Sequence, residues 1–152
     1  KNRIGTIIKH IPGHGHSKVD SHYKLPIINK SLKYLNTHDF KAFRNKKSFF
    51  SMTAHIVYNK IDRINPATHS KKIIKLVRHK LFFKNLIMSD DISMKALKFN
   101  IVKNTKLAFT AGCNLVLHCN GNLSEMTLVA KNSPLIDKFI LKKTYKFYNI
   151  IS

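Results

Sequence analysis

The sequence predicts an α/β protein: four parallel strands with covering helices, forming the C-terminal half of a (β/α)8 TIM-type barrel. Three observations predict it. Apolar runs alternate with helical patterns four times, as in a parallel sheet whose crossovers are helices. Polar and charged residues gather just after each apolar run, where such barrels build active sites. The 152 residues fall short of the roughly 250 that a complete barrel needs. The chain begins at Lys1, without an initiator methionine and just ahead of a strand. The expectation is therefore one partial domain over residues 1–152, truncated on its N-terminal side.

The first strand is expected over Ile4–Ile8. Lys9 and His10 stand at its end, and Pro12, Gly13 and Gly15 then impose a loop that runs to Pro26. That loop carries His14, His16 and His22 and one carboxylate, Asp20. Asn29 to Thr37 is ambiguous. Asp39 to Lys46 reads as a short helix, with Asp39 near its N-terminus, where negative charge is favourable.

The second strand is expected over Ser48–Tyr58 and contains His55. A helix from about Ser70 to Leu81 follows from the spacing of Ile73, Ile74, Val77 and Leu81, with Thr68 or Ser70 as its cap. The third strand, Asn85–Ser89, leads into Asp90 and Asp91. Asp91 and Ser93 are read as caps of the next segment or as supporting groups.

Ile101 to Ala111 is a helix that Gly112 ends. Asn114–Cys119 is the fourth strand, closed by the turn dipeptide Asn120-Gly121. Ser124 to Lys131 is helical. A last helix is expected from Pro134 to Tyr148, with Pro134 at its first position.

Composition bounds the function. The chain has 28 Lys and Arg against 7 Asp and Glu, a net charge of +21. Taken alone, that charge suggests nucleic acid or an anionic membrane surface. The basic residues are scattered through every segment, however. The excess is mostly Lys, with Ile and Asn abundant, as an AT-rich coding sequence gives. No interleaved aromatic platform accompanies them, so nucleic acid is not the expected partner. A basic nucleic-acid-binding module stays as the alternative. Cys113 and Cys119 flank an extended segment that holds them about 20 Å apart, so both are expected as free thiols. That fits a reducing, cytoplasmic compartment. No signal peptide or membrane-spanning run is visible.

Lys9-His10-Ile11-Pro12-Gly13-His14-Gly15, followed by Asp20-Ser21-His22 and Leu25-Pro26, resembles the signature of the bacterial β-N-acetylhexosaminidases of glycoside hydrolase family 3, the cell-wall recycling type. Met52-Thr53-Ala54-His55-Ile56 and Pro66-Ala67-Thr68-His69-Ser70 resemble two further segments of the family. So does Ala111-Gly112-Cys113-Asn114-Leu115-Val116-Leu117. The usual forms have Phe at Ile11, Leu at His69 and Asp at Asn114.

The resemblance implies a retaining glycosidase that works through a covalent glycosyl-enzyme. It implies Asp90 as nucleophile and His22 as acid/base, with Asp20 holding the imidazole. It also implies Lys9 and His10 as ligands of sugar hydroxyls. His55, at the end of the second strand, is expected to line the pocket with them. The implied substrate is a small carbohydrate of the N-acetylglucosaminyl-anhydromuropeptide type. No cofactor, metal or membrane is implied. The missing first half of the barrel is the implied partner, and the 152 residues alone are expected to be inactive.

The residues themselves leave one chemical competitor. His10, His14, His16 and His22 with Asp20 are suitable zinc ligands. Against a metal-dependent hydrolase, no spacing matches a regular zinc motif. Pro12 and Gly13 also prevent a helical histidine pair.

Overall fold

A computed structural model describes residues 3–21 and 23–152; the expected acid/base residue His22 lies outside the described residues. In chain order the elements are β1 (Ile7–Ile11), β2 (Ile27–Ile28), α1 (Leu32–Thr37), β3 (Phe50–Thr53), β4 (Val57–Tyr58) and α2 (Lys71–His79). Then come β5 (Leu86–Asp91), α3 (Ile101–Ala111), β6 (Leu115–Leu117), α4 (Leu123–Lys131) and α5 (Lys138–Ile151). Strands β1, β3, β5 and β6 form one sheet in that order, with every pair parallel. This is the expected arrangement: strands adjacent in sequence order, with helices between them.

The register sets which side chains meet the helices. Ile8 pairs with Ser51, and Ser51 with Ile87, so the three share one face. On that face Ile87 is fully buried among Ile73, Ile74 and Val77 of α2 and Ala108 of α3, and Ile8 and Val116 pack against the same cluster. Helix α2 forms because its apolar residues recur on one side and Ser70 accepts the Ile73 N–H at 3.2 Å. Helix α3 is capped by Asn100, which accepts from the Lys103 N–H at 2.9 Å. It stops at Gly112, whose φ of 113° suits glycine. A Cβ there would also sit 3.0 Å from Ile74 Cγ2.

Four expectations need correction. The first strand is Ile7–Ile11, not Ile4–Ile8. Its ladder starts where Ile7 meets Phe50, and Ile4 is exposed, so pairing rather than apolarity sets the boundary. The second expected strand is two. After Thr53 the chain leaves the main sheet; the Val57 N–H then bonds Pro26 O and pairs β4 with β2 in a separate parallel ribbon. The Asp39 segment is a 3-10 turn, Phe40–Phe43, and its Asp39 side chain bonds His16 instead of capping. The last helix starts at Lys138, not Pro134, because Asp137 caps it through the Ile140 N–H at 2.7 Å.

Helix α5 crosses the N-terminal ends of the strands. Arg78 lies 5.9 Å from the Phe139 ring, and Lys143 Nζ donates to Asn85 Oδ1 at 2.7 Å. The Phe147 ring lies 5.5 Å from Phe49 and 4.9 Å from Phe50. No helix among the described residues is long and apolar enough to cross a membrane. Cys113 and Cys119 are both free thiols; Cys113 is buried, and burial pushes its pKa up to about 12.

His69 gives a pH dependence. Burial, and then the nearby His55, push its pKa from 6.5 down to about 4. Between those values the unfolded chain takes up a proton that the folded chain resists. The stabilising contribution is complete above pH 6.5 and is lost as pH falls to about 4, on the order of 3 kcal/mol in all. Urea midpoints are expected to fall across that window. His69→Leu should flatten the fall, and an unchanged slope in that variant would exclude His69 as its source.

Candidate active site

The C-terminal ends of β1, β3 and β5 bring together residues that lie far apart in sequence. Lys9 and His10 belong to β1 itself; Lys9 is exposed and His10 is half-buried. The Lys9–His10 and Ile11–Pro12 peptide bonds are cis. His10 Nε2 lies 3.5 Å from Asp90 Oδ2, across the strand between them. Burial lowers the His10 pKa, and the Asp90 charge opposes that shift without cancelling it. Neighbouring Lys9, His14 and His55 lower it further.

The loop after β1 is fastened at several points. The His14 ring lies 5.6 Å from His10, and His14 Nε2 is 3.5 Å from Ser21 Oγ. His16 Nδ1 donates to Asp39 Oδ1 at 2.9 Å, and His16 Nε2 is 3.2 Å from the Tyr34 hydroxyl. The buried Tyr58 hydroxyl donates to Gly13 O. Asp20 is exposed, and its carbonyl accepts from the Tyr23 and Lys24 N–H groups.

The two adjacent carboxylates of β5 are divided between two tasks. Asp90 turns Oδ2 toward His10, while its Oδ1 accepts from the Asp91 N–H at 2.8 Å. Asp91 Oδ1 accepts from the Ser93 N–H at 3.0 Å, the Ser93 hydroxyl at 2.8 Å and the Cys119 N–H at 3.2 Å. Asp91 thus ties β5 to the end of β6. No helix follows Asp91 directly, so it and Ser93 cap each other's turn and not a helix.

His55 lies behind this pair of carboxylates. It is 0% exposed and stands in the chain between β3 and β4. His55 Nε2 is 2.9 Å from Asp91 O, and Nδ1 is 2.7 Å from Thr68 Oγ1. Both nitrogens are therefore engaged inside the protein, and the ring reaches no surface. Sequence reasoning missed the partner, since Thr68 reads there only as a candidate cap. Ser70 does the capping, which leaves the Thr68 hydroxyl for His55.

Comparison with known proteins gives the family. Residues 1–144 match the glycosyl hydrolase family 3 N-terminal domain. The chain belongs to glycosyl hydrolase family 3.

Among family members, the chain is 38% identical over 119 residues to a beta-hexosaminidase of Haemophilus influenzae, a match covering 74% of this chain and 34% of the relative. It is 33% identical over 149 residues to a beta-hexosaminidase of Psychromonas ingrahamii, covering 93% and 42%. Among solved structures, it is similar to NagZ from Neisseria gonorrhoeae in complex with N-trifluoroacetyl-D-glucosamine. That similarity has a TM-score of 0.80 at 30% identity and covers 94% of this chain and 43% of that one. The chain thus spans well under half the length of these family 3 relatives.

One departure from the usual family 3 residues has a clear structural outcome. Asn114 stands where Asp is usual, yet its Oδ1 accepts from Arg78 at 2.7 Å and from the Ile87 N–H at 3.0 Å. The amide oxygen keeps the acceptor that a carboxylate would offer, without the charge.

Proposed function

We propose that this chain carries the catalytic side of a retaining β-N-acetylglucosaminidase. In this reading it acts on small peptidoglycan-derived muropeptides in the cytoplasm, during cell-wall recycling. The half-barrel is completed by further strands that supply the rest of the sugar site. One observation carries the reading. The only contact between the ends of β1 and β5 that joins two motif side chains is His10 with Asp90, among the described residues. Asp90 stands at the strand end with one carboxylate oxygen free of backbone partners.

The chemistry follows from that placement. Asp90 attacks the anomeric carbon and the bond to the leaving oxygen breaks, giving a covalent glycosyl-enzyme. His22 gives its proton to the leaving oxygen, then takes one from the water that releases the sugar. Asp20 orients the imidazole, as an aspartate does in a serine-protease triad. Lys9 and His10 bind sugar hydroxyls; the ammonium donates, and the imidazole donates or accepts. A histidine titrates near neutrality, so it can serve as acid and then base at cellular pH. The N-trifluoroacetyl-D-glucosamine held by the Neisseria relative supports an N-acylated amino sugar as substrate.

The full-length gene product is expected to hydrolyse an aryl N-acetyl-β-glucosaminide and to spare the matching β-glucoside. The first sugar product, followed by proton NMR, should keep the β configuration. An α product would exclude the double displacement. Activity that a chelator removes would move the histidine cluster to a metal role.

A further inference from the structure

We infer that His55 is a positioning residue for Asp90, held as the neutral Nε2–H tautomer by a Thr53–Thr68 hydroxyl relay. This rests on the reading of Asp90 as nucleophile.

The tautomer follows from what each partner can do. The Asp91 carbonyl only accepts, so the proton of that 2.9 Å bond sits on His55 Nε2. A neutral imidazole then has a lone pair on Nδ1. Thr68 Oγ1, 2.7 Å away, donates to it in preference to the longer contact with Ala54 O at 3.4 Å. With its one proton committed, Thr68 accepts from the Thr53 hydroxyl at 2.8 Å. Thr53, His55, Thr68 and the Asp91 carbonyl therefore form a relay with one direction. The relay is dry: Thr53 is 1% exposed, and Thr68 and His55 are 0% exposed. Burial lowers the His55 pKa, against the pull of the Asp91 carbonyl and the two carboxylates, a shift that favours the neutral ring.

The same geometry makes the relay a device for the nucleophile. The β3–β5 ladder ends at Met52 and Met88, two residues short of Asp90. The register of that ladder does not reach the Asp91–Ile92 peptide, which begins one residue after Asp90. His55 donates to the carbonyl of that peptide, reaching from the extension of β3 after it leaves the sheet. On the other side the Ile92 N–H bonds Leu117 O at 2.9 Å. The peptide that follows the nucleophile is thus held from both flanks, which anchors Asp90 from one residue away. A shift of about 1 Å in a catalytic group can cost about 100-fold in rate.

The test uses the full-length protein. In the wild type, 15N-histidine NMR should show His55 as the Nε2–H tautomer. Thr68→Val removes the hydroxyl at nearly constant volume. It should lower kcat about 10- to 100-fold with KM little changed, and the His55 Nδ1 resonance should shift as its hydrogen bond is lost while Nε2 keeps its proton. Thr68→Ser restores the donor and should recover most of kcat. An Nδ1–H tautomer in the wild type would overturn the inference, whether or not any variant folds. So would a Thr68→Val enzyme of unchanged kcat, or one with raised KM alone, which would make His55 a sugar contact. If Asp90→Asn stayed active while His55 kept its tautomer, the nucleophile reading would fail and the relay would stand as architecture only.

Discussion

Asp90→Asn in the full-length protein is expected to abolish turnover of an aryl N-acetylglucosaminide, by at least about 1,000-fold. The substitution removes a charge and a nucleophilic oxygen but very little shape. An asparagine Oδ1 can still accept the Asp91 N–H that Asp90 Oδ1 accepts at 2.8 Å. Its amide nitrogen would face His10 Nε2, now 3.5 Å from Asp90 Oδ2, and can donate to a neutral imidazole. The fold should therefore survive, and the melting temperature should move little while kcat collapses. Near-normal activity in that variant would remove Asp90 from the nucleophile role, since an amide does not form the glycosyl-enzyme.

His22→Ala should produce a loss that depends on the leaving group. A poor leaving group, such as the sugar of a natural substrate, departs only if a proton arrives with bond cleavage. An activated dinitrophenolate departs without one. Removing the acid should slow the first class by about 100- to 10,000-fold and leave glycosylation by the second nearly intact. Plotting log kcat/KM against leaving-group pKa for a series of aryl N-acetylglucosaminides should give a much steeper slope in the variant. Equal losses across the series would show that His22 holds the sugar and does not transfer the proton.

Much of the fold was legible because it rests on local rules. Helix α3 has the bounds that the sequence implies, Ile101–Ala111, since a cap residue and a left-handed glycine mark its two ends. Parallel strands in sequence order follow from alternation alone. The split of residues 48–58 was not legible. Apolar residues continue without a break while the chain passes from one sheet to the other, and only the partners change. The start of the last helix was missed for a related reason. Pro134 and Asp137 are both good initiators, and the sequence does not say which one the tertiary structure leaves extended.

The site divides in the same way. His10 and Asp90 could be placed together because both sit at strand ends. The Thr68–His55 contact could not, because a hydroxyl's choice between capping a helix and serving an imidazole is decided by packing. The pairing of His16 with Asp39 likewise joins a loop to a turn over 23 positions, and no spacing rule predicts it.

The order of the sheet also bears on how the polypeptide acquires it. Each of β3, β5 and β6 lies beside the main-sheet strand made just before it. Consecutive strands begin at Ile7, Phe50, Leu86 and Leu115, so a few tens of residues separate partners. At about 5–20 residues per second a ribosome needs seconds to deliver each unit. Helices and short-range contacts form in microseconds to milliseconds. Every strand–helix unit therefore has time to dock on its predecessor before the next emerges. These four strands can add in order during translation, each onto the one before it.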